Sequence, residues 1–164
     1  MVDIWFISDP HFGHANIIKY CNRPFANTQE MDAVMIERWN SVVKPQDHIY
    51  CGGDFTMNQL DLHRVAPQLY GHKRLILGNH DNSAPMRDYC KYFEKILMWR
   101  LFKPIIFTHV PIHRDNFGKA QVNVHGHIHE KPSPAGPYIN MCVEVRNYTP
   151  VHLDMLLAEA KSYL

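Results

Sequence analysis

Short apolar runs recur along this chain, and each is followed at once by side chains that can bind a metal ion. The first run, residues 2–8, is rich in β-branched and aromatic residues and leads into Asp9 and His11. Runs that end at residues 51, 77, 108 and 125 are followed by Asp54, Asn79, His80, Asp81, His109, His127 and His129. Brief apolar runs bounded by polar residues predict buried strands. The chain is therefore constrained to a fold whose strands end near polar side chains.

Helical patterns separate the first strands. Asn27 is a suitable N-cap with Glu30 three residues on, and an apolar stripe that includes Trp39 follows at helical spacing. Further helices are predicted over residues 59–70 and 153–163. The second half reads instead as close strands, over residues 96–102, 104–108, 121–125 and 138–145. This order favours an α/β sandwich of two packed sheets.

Composition limits the classes of protein that this chain can belong to. With 164 residues, 46% of them hydrophobic and 20% charged, it reads as one globular domain over residues 1–164. A formal net charge of +1 gives no strong field for nucleic acid or a membrane. No apolar run approaches the roughly 18 residues of a membrane span. The N-terminus lacks the features of a signal peptide and the four cysteines form no CxxC pair, so a cytoplasmic protein with reduced thiols is expected.

Histidine is abundant, with 12 copies, and three of them alternate in the stretch VNVHGHIHE. If this stretch is extended, alternation sends His125, His127 and His129 to one face, as a set of metal ligands requires. A polar loop that is merely rich in histidine is the alternative, and this stretch alone leaves both open.

The strand ends together indicate a two-metal site. Ligands of α/β sheets bind beyond the carboxyl ends of strands, where loops converge. Carboxylate, carboxamide and imidazole groups without a thiolate suit Mn, Fe, Zn or Ni. Seven candidate ligands are too many for one tetrahedral ion but suit two ions about 3.5–4 Å apart, which clamp a phosphoryl group for in-line displacement. The shared ligand must be a carboxylate, because an imidazole nitrogen has one lone pair, and Asp54 is the natural bridge.

Five short motifs carry a resemblance to a known superfamily. They are D-P-H at residues 9–11, G-G-D at 52–54, G-N-H-D at 78–81, T-H at 108–109 and G-H-I-H at 126–129. In this order they resemble the D-x-H, G-D, G-N-H-[DE], H and G-H-x-H pattern of the calcineurin-like metallophosphoesterase superfamily. The stretches DPHFGHANIIKYCNRPF and YINMCVEVRNYTPV also resemble its small single-domain members from bacteria and phages.

The resemblance implies a fold and a role for each motif residue. The implied fold is a four-layer α/β/β/α sandwich of two mixed β-sheets flanked by helices. The implied ligands are Asp9, His11 and His129 for the first metal and Asn79, His109 and His127 for the second, with Asp54 bridging. His80 serves as general acid for the leaving group or stabilises charge in the transition state, and Asp81 orients His80. A hydroxide between the metals attacks phosphorus in line.

Several further residues have both a functional and a structural interpretation. His14, Arg23 and His113 are candidate substrate-binding residues. The alternatives are a surface or capping histidine for His14, a solvated loop arginine for Arg23 and a structural role for His113. For His125 the alternatives are a place that faces the site and a role in packing or hydrogen bonding, of which the second is favoured. Tryptophans 5, 39 and 99 read as core.

The function predicted from the sequence is a metal-dependent phosphohydrolase with two divalent ions, Mn or Fe before Zn or Ni. Its substrate would be a small phosphate ester or a nucleotide, and the short chain without a cap favours phosphodiesters over monoesters. Near-zero net charge argues against extended nucleic-acid binding. The alternatives are a non-catalytic metal-binding scaffold of the same fold, a phosphomonoesterase or a protein phosphatase.

Overall fold

A computed structural model describes residues 2–164 of the chain. In chain order its strands are β1 (Ile4–Ile7), β2 (His48–Cys51), β3 (His72–Ile76), β4 (Lys95–Leu97), β5 (Trp99–Phe102), β6 (Ile105–Thr108), β7 (Val122–His125), β8 (Tyr138–Asn140) and β9 (Val151–His152). Its α-helices are α1 (Ala15–Tyr20), α2 (Thr28–Val42), α3 (Gln59–Val65), α4 (Met86–Tyr89) and α5 (Leu153–Ala160).

The strands form two mixed sheets. The first has the order β4-β3-β2-β1-β9, in which β1 to β4 run parallel and β9 is antiparallel to β1. The second has the order β5-β6-β7-β8, in which β6 to β8 run parallel and β5 is antiparallel to β6. Parallel strands end at the same edge of a sheet, so the loops after β1, β2 and β3 lie together, as do those after β6 and β7.

Alternation along the strands builds the hydrophobic layers. Phe6 of β1 packs between the sheets against Phe107 of β6, with 5.2 Å between the ring centroids. Its neighbour Ile7 faces the other way, into the cluster that holds Met35 and Trp39 of α2. Successive side chains of a strand point to opposite faces, so one run of residues serves both layers. The predicted class, an α/β sandwich of two mixed sheets flanked by helices, is confirmed.

The outermost layer on the second sheet is thin. Ile106 of β6 is covered there by Phe117 and Ala120, which belong to a loop with one turn of 3-10 helix at Arg114–Asn116. The last helix, α5, packs Leu156 into the cluster between the sheets. No helix within residues 2–164 combines the length and the apolar character needed to span a bilayer.

Element boundaries differ from the prediction where a run changes its partner. The predicted strand over residues 96–102 is divided at Met98, because β4 pairs with β3 while β5 pairs with β6 of the other sheet. The predicted strand 138–145 ends with β8, and Val143–Val145 forms a 3-10 turn. The predicted helices 59–70 and 153–163 end as α-helix at Val65 and Ala160, and each continues as a 3-10 turn. Three short elements, α1, α4 and β9, were not predicted.

Candidate metal centre

The loops that follow five strands meet at one edge of the sandwich. Backbone hydrogen bonds join them, from Asp9 N to Gly53 O at 3.1 Å and from His11 N to Asp54 O at 3.0 Å. Gly126 N donates to His109 O at 2.7 Å, which ties together the two loops of the second sheet. The seven predicted metal ligands are carried by these five loops.

The side chains gather into two groups of three. Asp9, His11 and His129 offer ligand atoms that all lie within 4.8 Å of one another. The second group, Asp54, His109 and His127, meets the same distance limit. We call these the first and second ligand groups. The first group has the members that the resemblance implies for the first metal. The second contains His109 and His127 of the set implied for the second metal, together with the implied bridge Asp54 in place of Asn79.

Asp54 stands between the two groups. Its Oδ2 lies 3.5 Å from His11 Nε2 on one side and 3.6 Å from His109 Nε2 on the other. One carboxylate oxygen therefore faces an imidazole nitrogen of each group. Asn79 joins the second group, with its Oδ1 2.9 Å from His109 Nε2. His109 Nδ1 lies 2.8 Å from Gly52 O, so the ring donates to that carbonyl and keeps Nε2 for a ligand.

Backbone strain is concentrated in these loops. Within residues 2–164 eight non-glycine residues have positive φ, and five of them belong to the ligand groups. The five are Asp9 (56°), His11 (50°), Asp54 (51°), His127 (71°) and His129 (54°). A left-handed conformation costs a residue with a side chain roughly 1–2 kcal/mol. Strain that recurs in one cluster indicates that side-chain direction there is held at the expense of stability.

Buried polar atoms of the first ligand group have no hydrogen-bond partner in the protein. They are Asp9 Oδ1 and both ring nitrogens of His11. The other oxygen of Asp9, Oδ2, accepts hydrogen bonds from Ser8 Oγ at 2.5 Å and His127 N at 2.9 Å. Buried groups of this kind are rarely left unsatisfied. Ligand atoms of Asp9 and His11 lie within 4.8 Å of each other, so a cation bound there would satisfy them.

Burial also sets the protonation of this group. Burial raises the pKa of Asp9 to about 6, although the nearby His109 and the hydrogen bond from Ser8 act to lower it. Burial, followed by the charge of Arg23, lowers the pKa of His11 to about 2, so this imidazole is neutral at physiological pH. A neutral imidazole presents the lone pair that a metal ion requires. The donor set therefore fits divalent ions that accept oxygen and nitrogen ligands.

Two motif glycines are required by the carboxylates beside them. A Cβ at Gly78 would lie 2.2 Å from Asp54 Oδ1, and a Cβ at Gly126 would lie 2.1 Å from Asp9 Oδ2. Both glycines leave room for a carboxylate that belongs to another loop.

His80 and Asp81 have different surroundings from those implied by the resemblance. The exposed His80 ring lies 5.7 Å from the His11 ring, measured between centroids, and His80 N donates to Asp54 Oδ1 at 2.8 Å. Asp81 does not orient His80. Its carboxylate accepts hydrogen bonds from backbone N–H groups of Asp54 (2.9 Å), Phe55 (2.9 Å) and Gly78 (2.8 Å). Asp81 is thus a positioning residue for the Asp54 loop, and the prediction that it acts on His80 is wrong.

Comparison with known proteins gives the relatives of this chain. No family model matches it. It is 37% identical to the uncharacterized protein MJ1445 of Methanocaldococcus jannaschii over 169 aligned positions, which cover 96% of this chain and 90% of that protein. The chain belongs to the MJ1445 family.

Phage proteins and one solved structure are also similar to this member of the MJ1445 family. The Gene 66 protein of Mycobacterium phage L5 is 33% identical over 130 residues, covering 74% of this chain and 61% of the phage protein. The crystal structure of the protein of unknown function AQ665 from Aquifex aeolicus superposes with a TM-score of 0.78. That match has 25% identity and covers 97% of this chain and 100% of the other.

Arg23 lies beneath the ligand groups and not at their open side. It is only 4% exposed and donates to Asp9 O at 2.9 Å and Pro10 O at 2.7 Å. Its Nε and Nη2 donate to Glu144 Oε1 at 3.0 and 2.7 Å. The guanidinium therefore has no N–H group directed toward a substrate. The prediction of Arg23 as a substrate-binding residue is therefore wrong, because its N–H groups hold the backbone of the loop after β1 at Asp9 and Pro10.

Sequence reasoning missed Glu144, which lies 3.0 Å from His129 Nδ1 through its Oε1. Burial acts to raise the pKa of Glu144, but the hydrogen bond to His129 and the charge of Arg23 lower it below its usual range. An ionised Glu144 fixes a proton on Nδ1 of His129 and leaves Nε2 for a metal. Glu144 sits in a 3-10 turn outside every motif, so no spacing in the sequence marks it.

The remaining histidines divide between the site and the surface. The His14 ring lies 5.5 Å from the His11 ring, measured between centroids. Its predicted contact with the substrate stays a prediction. His113 is 75% exposed and caps the following 3-10 turn by accepting from Asp115 N at 3.4 Å, and its predicted substrate contact stays a prediction. His125 is buried and bonds to Gly126 O and Ser133 Oγ, each at 3.0 Å, which confirms its packing role.

Proposed function

We propose that this protein is a metal-dependent phosphoesterase of the calcineurin-like type that holds two divalent cations. The observation that carries the proposal is the position of Asp54 Oδ2, 3.5 Å from His11 Nε2 and 3.6 Å from His109 Nε2. A carboxylate oxygen shared by two oxygen-and-nitrogen ligand groups is the arrangement that a pair of Mn²⁺ or Fe ions needs, with Zn or Ni as alternatives.

Two divalent cations bound there would neutralise charge on the phosphoryl oxygens and lower the pKa of a nucleophilic water. The protein's own residues supply the rest. His80 is exposed on the open side, beside His11, and can give a proton to the departing ester oxygen. The hydrogen bond from its backbone to Asp54 Oδ1 fixes its distance from the bridging carboxylate. Asp81 holds the Asp54 loop in place, and Glu144 holds His129.

The substrate proposed is a small phosphate ester or a nucleotide, with diesters preferred. Asn79, His80 and His127 are exposed at one edge of the sandwich, so an ester with two organic groups can approach. A cytoplasmic location is also proposed. It is supported by Cys21, Cys51, Cys90 and Cys142, which are all free thiols, since disulfides are rare in that compartment.

The test is hydrolysis of bis(p-nitrophenyl) phosphate beside p-nitrophenyl phosphate, with and without Mn²⁺. Wild type should cleave the diester faster, and only with metal. His80→Ala should retain about two bound metal ions per chain but lose roughly 10²–10⁴-fold in kcat. Asp54→Asn should lose both bound metal and activity. Asp154→Asn, at an 84% exposed carboxylate on α5, is the control.

Metal analysis separates this proposal from the alternative of a scaffold. A protein that binds two ions but cleaves neither ester would favour the scaffold. A protein that binds no metal, and in which Asp54→Asn changes nothing, would overturn the proposal.

A further inference from the structure

An apolar cleft of about 920 Å³ opens beside the second ligand group. At its inner end it is lined by Asn79 and His109. Its walls come from the crossover between the sheets and β5 on one side and from the loop after β6 on the other. The apolar side chains that line it include Met98, Trp99, Leu101, Val110, Ile112 and Phe117.

Large apolar side chains that line the cleft are exposed to solvent. Met98 is 71% exposed, Trp99 is 56% exposed and Val110 is 41% exposed. Trp99 was predicted to be core and is not. Isolated exposed apolar residues are ordinary, but a contiguous set lining one cavity marks a binding surface. The position of this set, directly against two candidate metal ligands, indicates that its occupant also reaches the metal centre.

Strand pairing fixes the tryptophan relative to the ligands. Trp99 is the register partner of Thr108 across the antiparallel pair of β5 and β6, and Thr108 directly precedes His109. Opposite residues of such a pair have Cα atoms about 4.5–5.5 Å apart. The ring of Trp99 is thus anchored about one residue away from a member of the second ligand group. A side chain on a flexible loop would not keep a fixed position relative to that residue.

Polar groups in the cleft are few. The Thr108 hydroxyl donates to Val110 O at 2.6 Å and is not free for a ligand. Asn116 and Lys119 are exposed. A sugar or a second phosphate would find few partners here, whereas an apolar ring would bury surface against Trp99 and the aliphatic side chains.

The proposed proton donor does not line this cleft. His80 is not among the lining residues and its ring is close to His11 of the first ligand group. If His80 protonates the departing oxygen, the leaving group lies on the side of His11. The group that occupies the cleft is then the one that stays on phosphorus.

We propose that this cleft binds an apolar, ring-bearing ester group that remains on phosphorus, so that the substrates are phosphodiesters with one bulky apolar substituent. This inference rests on the proposed phosphoesterase function. It assigns Trp99 and Met98 to substrate specificity.

The experiment holds the leaving group constant and changes the retained group. It compares kcat/KM for the methyl, phenyl and 2-naphthyl diesters of p-nitrophenyl phosphate with Mn²⁺ present. In wild type the naphthyl ester should exceed the methyl ester by about tenfold or more, since contacts in an apolar pocket discriminate by that order. In Trp99→Ala the ratio of the two should fall toward one. Leu60→Ala, at an 82% exposed position on α3, should keep the wild-type ratio.

A second variant and a second measurement protect the test. Met98→Ser changes the crossover without touching a strand and should also reduce the ratio. Binding of 2-naphthol, which has no phosphate, is measured by calorimetric titration in metal-free protein, because Trp99→Ala would itself change the tryptophan fluorescence. It should bind wild type and be lost or weakened in Trp99→Ala.

The outcomes distinguish the two proposals. Hydrolysis of all three diesters at rates independent of the retained group would overturn the cleft inference and leave the phosphoesterase function standing. If no ester is cleaved, the phosphoesterase proposal fails and with it the substrate assignment. Binding of 2-naphthol that depends on Trp99 would then still support an apolar ligand for the cleft, and its absence would remove that as well.

Discussion

His129 Nδ1 lies 3.0 Å from Glu144 Oε1, and a ring nitrogen of His129 lies within 4.8 Å of ligand atoms of Asp9 and His11. The same oxygen of Glu144 accepts from Arg23. A buried arginine, a carboxylate and an imidazole thus form a line that ends at the first ligand group. Partners of this kind typically change metal affinity 10- to 100-fold.

Replacing Glu144 should therefore weaken metal binding without removing a ligand. Glu144→Gln keeps the shape but loses the charge that favours the proton on Nδ1 of His129. We expect the Kd for Mn²⁺ to rise by about tenfold, measured by calorimetric titration. Glu159→Gln, which alters an exposed pair with Arg146, is the control and should leave the Kd unchanged. Equal affinities in the two variants would show that Glu144 has only a packing role.

The glycine at the head of the G-N-H-D motif should not accept a methyl group. Gly78→Ala places a Cβ 2.2 Å from Asp54 Oδ1 and 2.5 Å from Asp54 N, so the bridging loop must shift. We expect loss of metal binding by more than about tenfold, because ligand geometry is disturbed. Gly118→Ala is the matched control, since its φ is +61° but no atom lies within 4 Å of the added Cβ. It should cost roughly 1 kcal/mol of stability and leave metal affinity intact.

Metal should stabilise the fold. Asp9 and His11 are buried with unpartnered atoms, and a cation that binds only the folded state satisfies them. At a cation concentration of 100 times its Kd the gain is about 2.7 kcal/mol. Thermal unfolding with EDTA and with Mn²⁺ measures it. His80→Ala should show the full gain and His11→Ala little of it. A similar gain in both variants would contradict the division between proton donor and ligand.

Asp47 should make stability depend on acid. It is fully buried and accepts from Lys44 N (2.9 Å), Asp3 N (3.1 Å) and Trp5 Nε1 (3.2 Å). Burial acts to raise the pKa of Asp47, but these hydrogen bonds outweigh it and the pKa is lowered. Its contribution to the free energy of unfolding is therefore present above the unfolded pKa of about 3.9 and is lost as pH falls through the lower folded value.

The variant Asp47→Asn should accordingly destabilise the protein by about 1–3 kcal/mol at pH 7, because at least one N–H group then faces a donor in place of an acceptor. Urea unfolding at pH 7 and at pH 3 measures the difference, which should shrink at the lower pH. Asp115→Asn, at an 89% exposed carboxylate, is the control. A difference that is the same at both pH values would show that the charge of Asp47 does not matter.

Sequence patterns located the candidate metal ligands because each one lies within four residues of the end of a strand. The alternation of Phe6 and Ile7 and the cap at Asn27, whose side chain accepts from Glu30 N at 2.9 Å, are equally local and were predictable. Glu144 was not, because it meets Arg23 across 121 positions of sequence and only the folded chain brings them together.

The run over residues 96–102 shows a second limit of local reasoning. Its apolar character predicts a strand but does not tell which sheet each half joins. That choice, made at Met98, decides that Trp99 is exposed beside the ligands and not buried in the core. Tertiary pairing therefore set the environment of this tryptophan.

Each ligand group draws on both sheets. The first takes Asp9 and His11 from the loop after β1 and His129 from the loop after β7. The second joins Asp54, after β2, to histidines that follow β6 and β7. Neither sheet alone carries a complete set, so the centre exists only while the two sheets keep their mutual alignment. Sliding one sheet over the other by an ångström would separate the members of both groups together. Cations bound there would therefore link the two sheets.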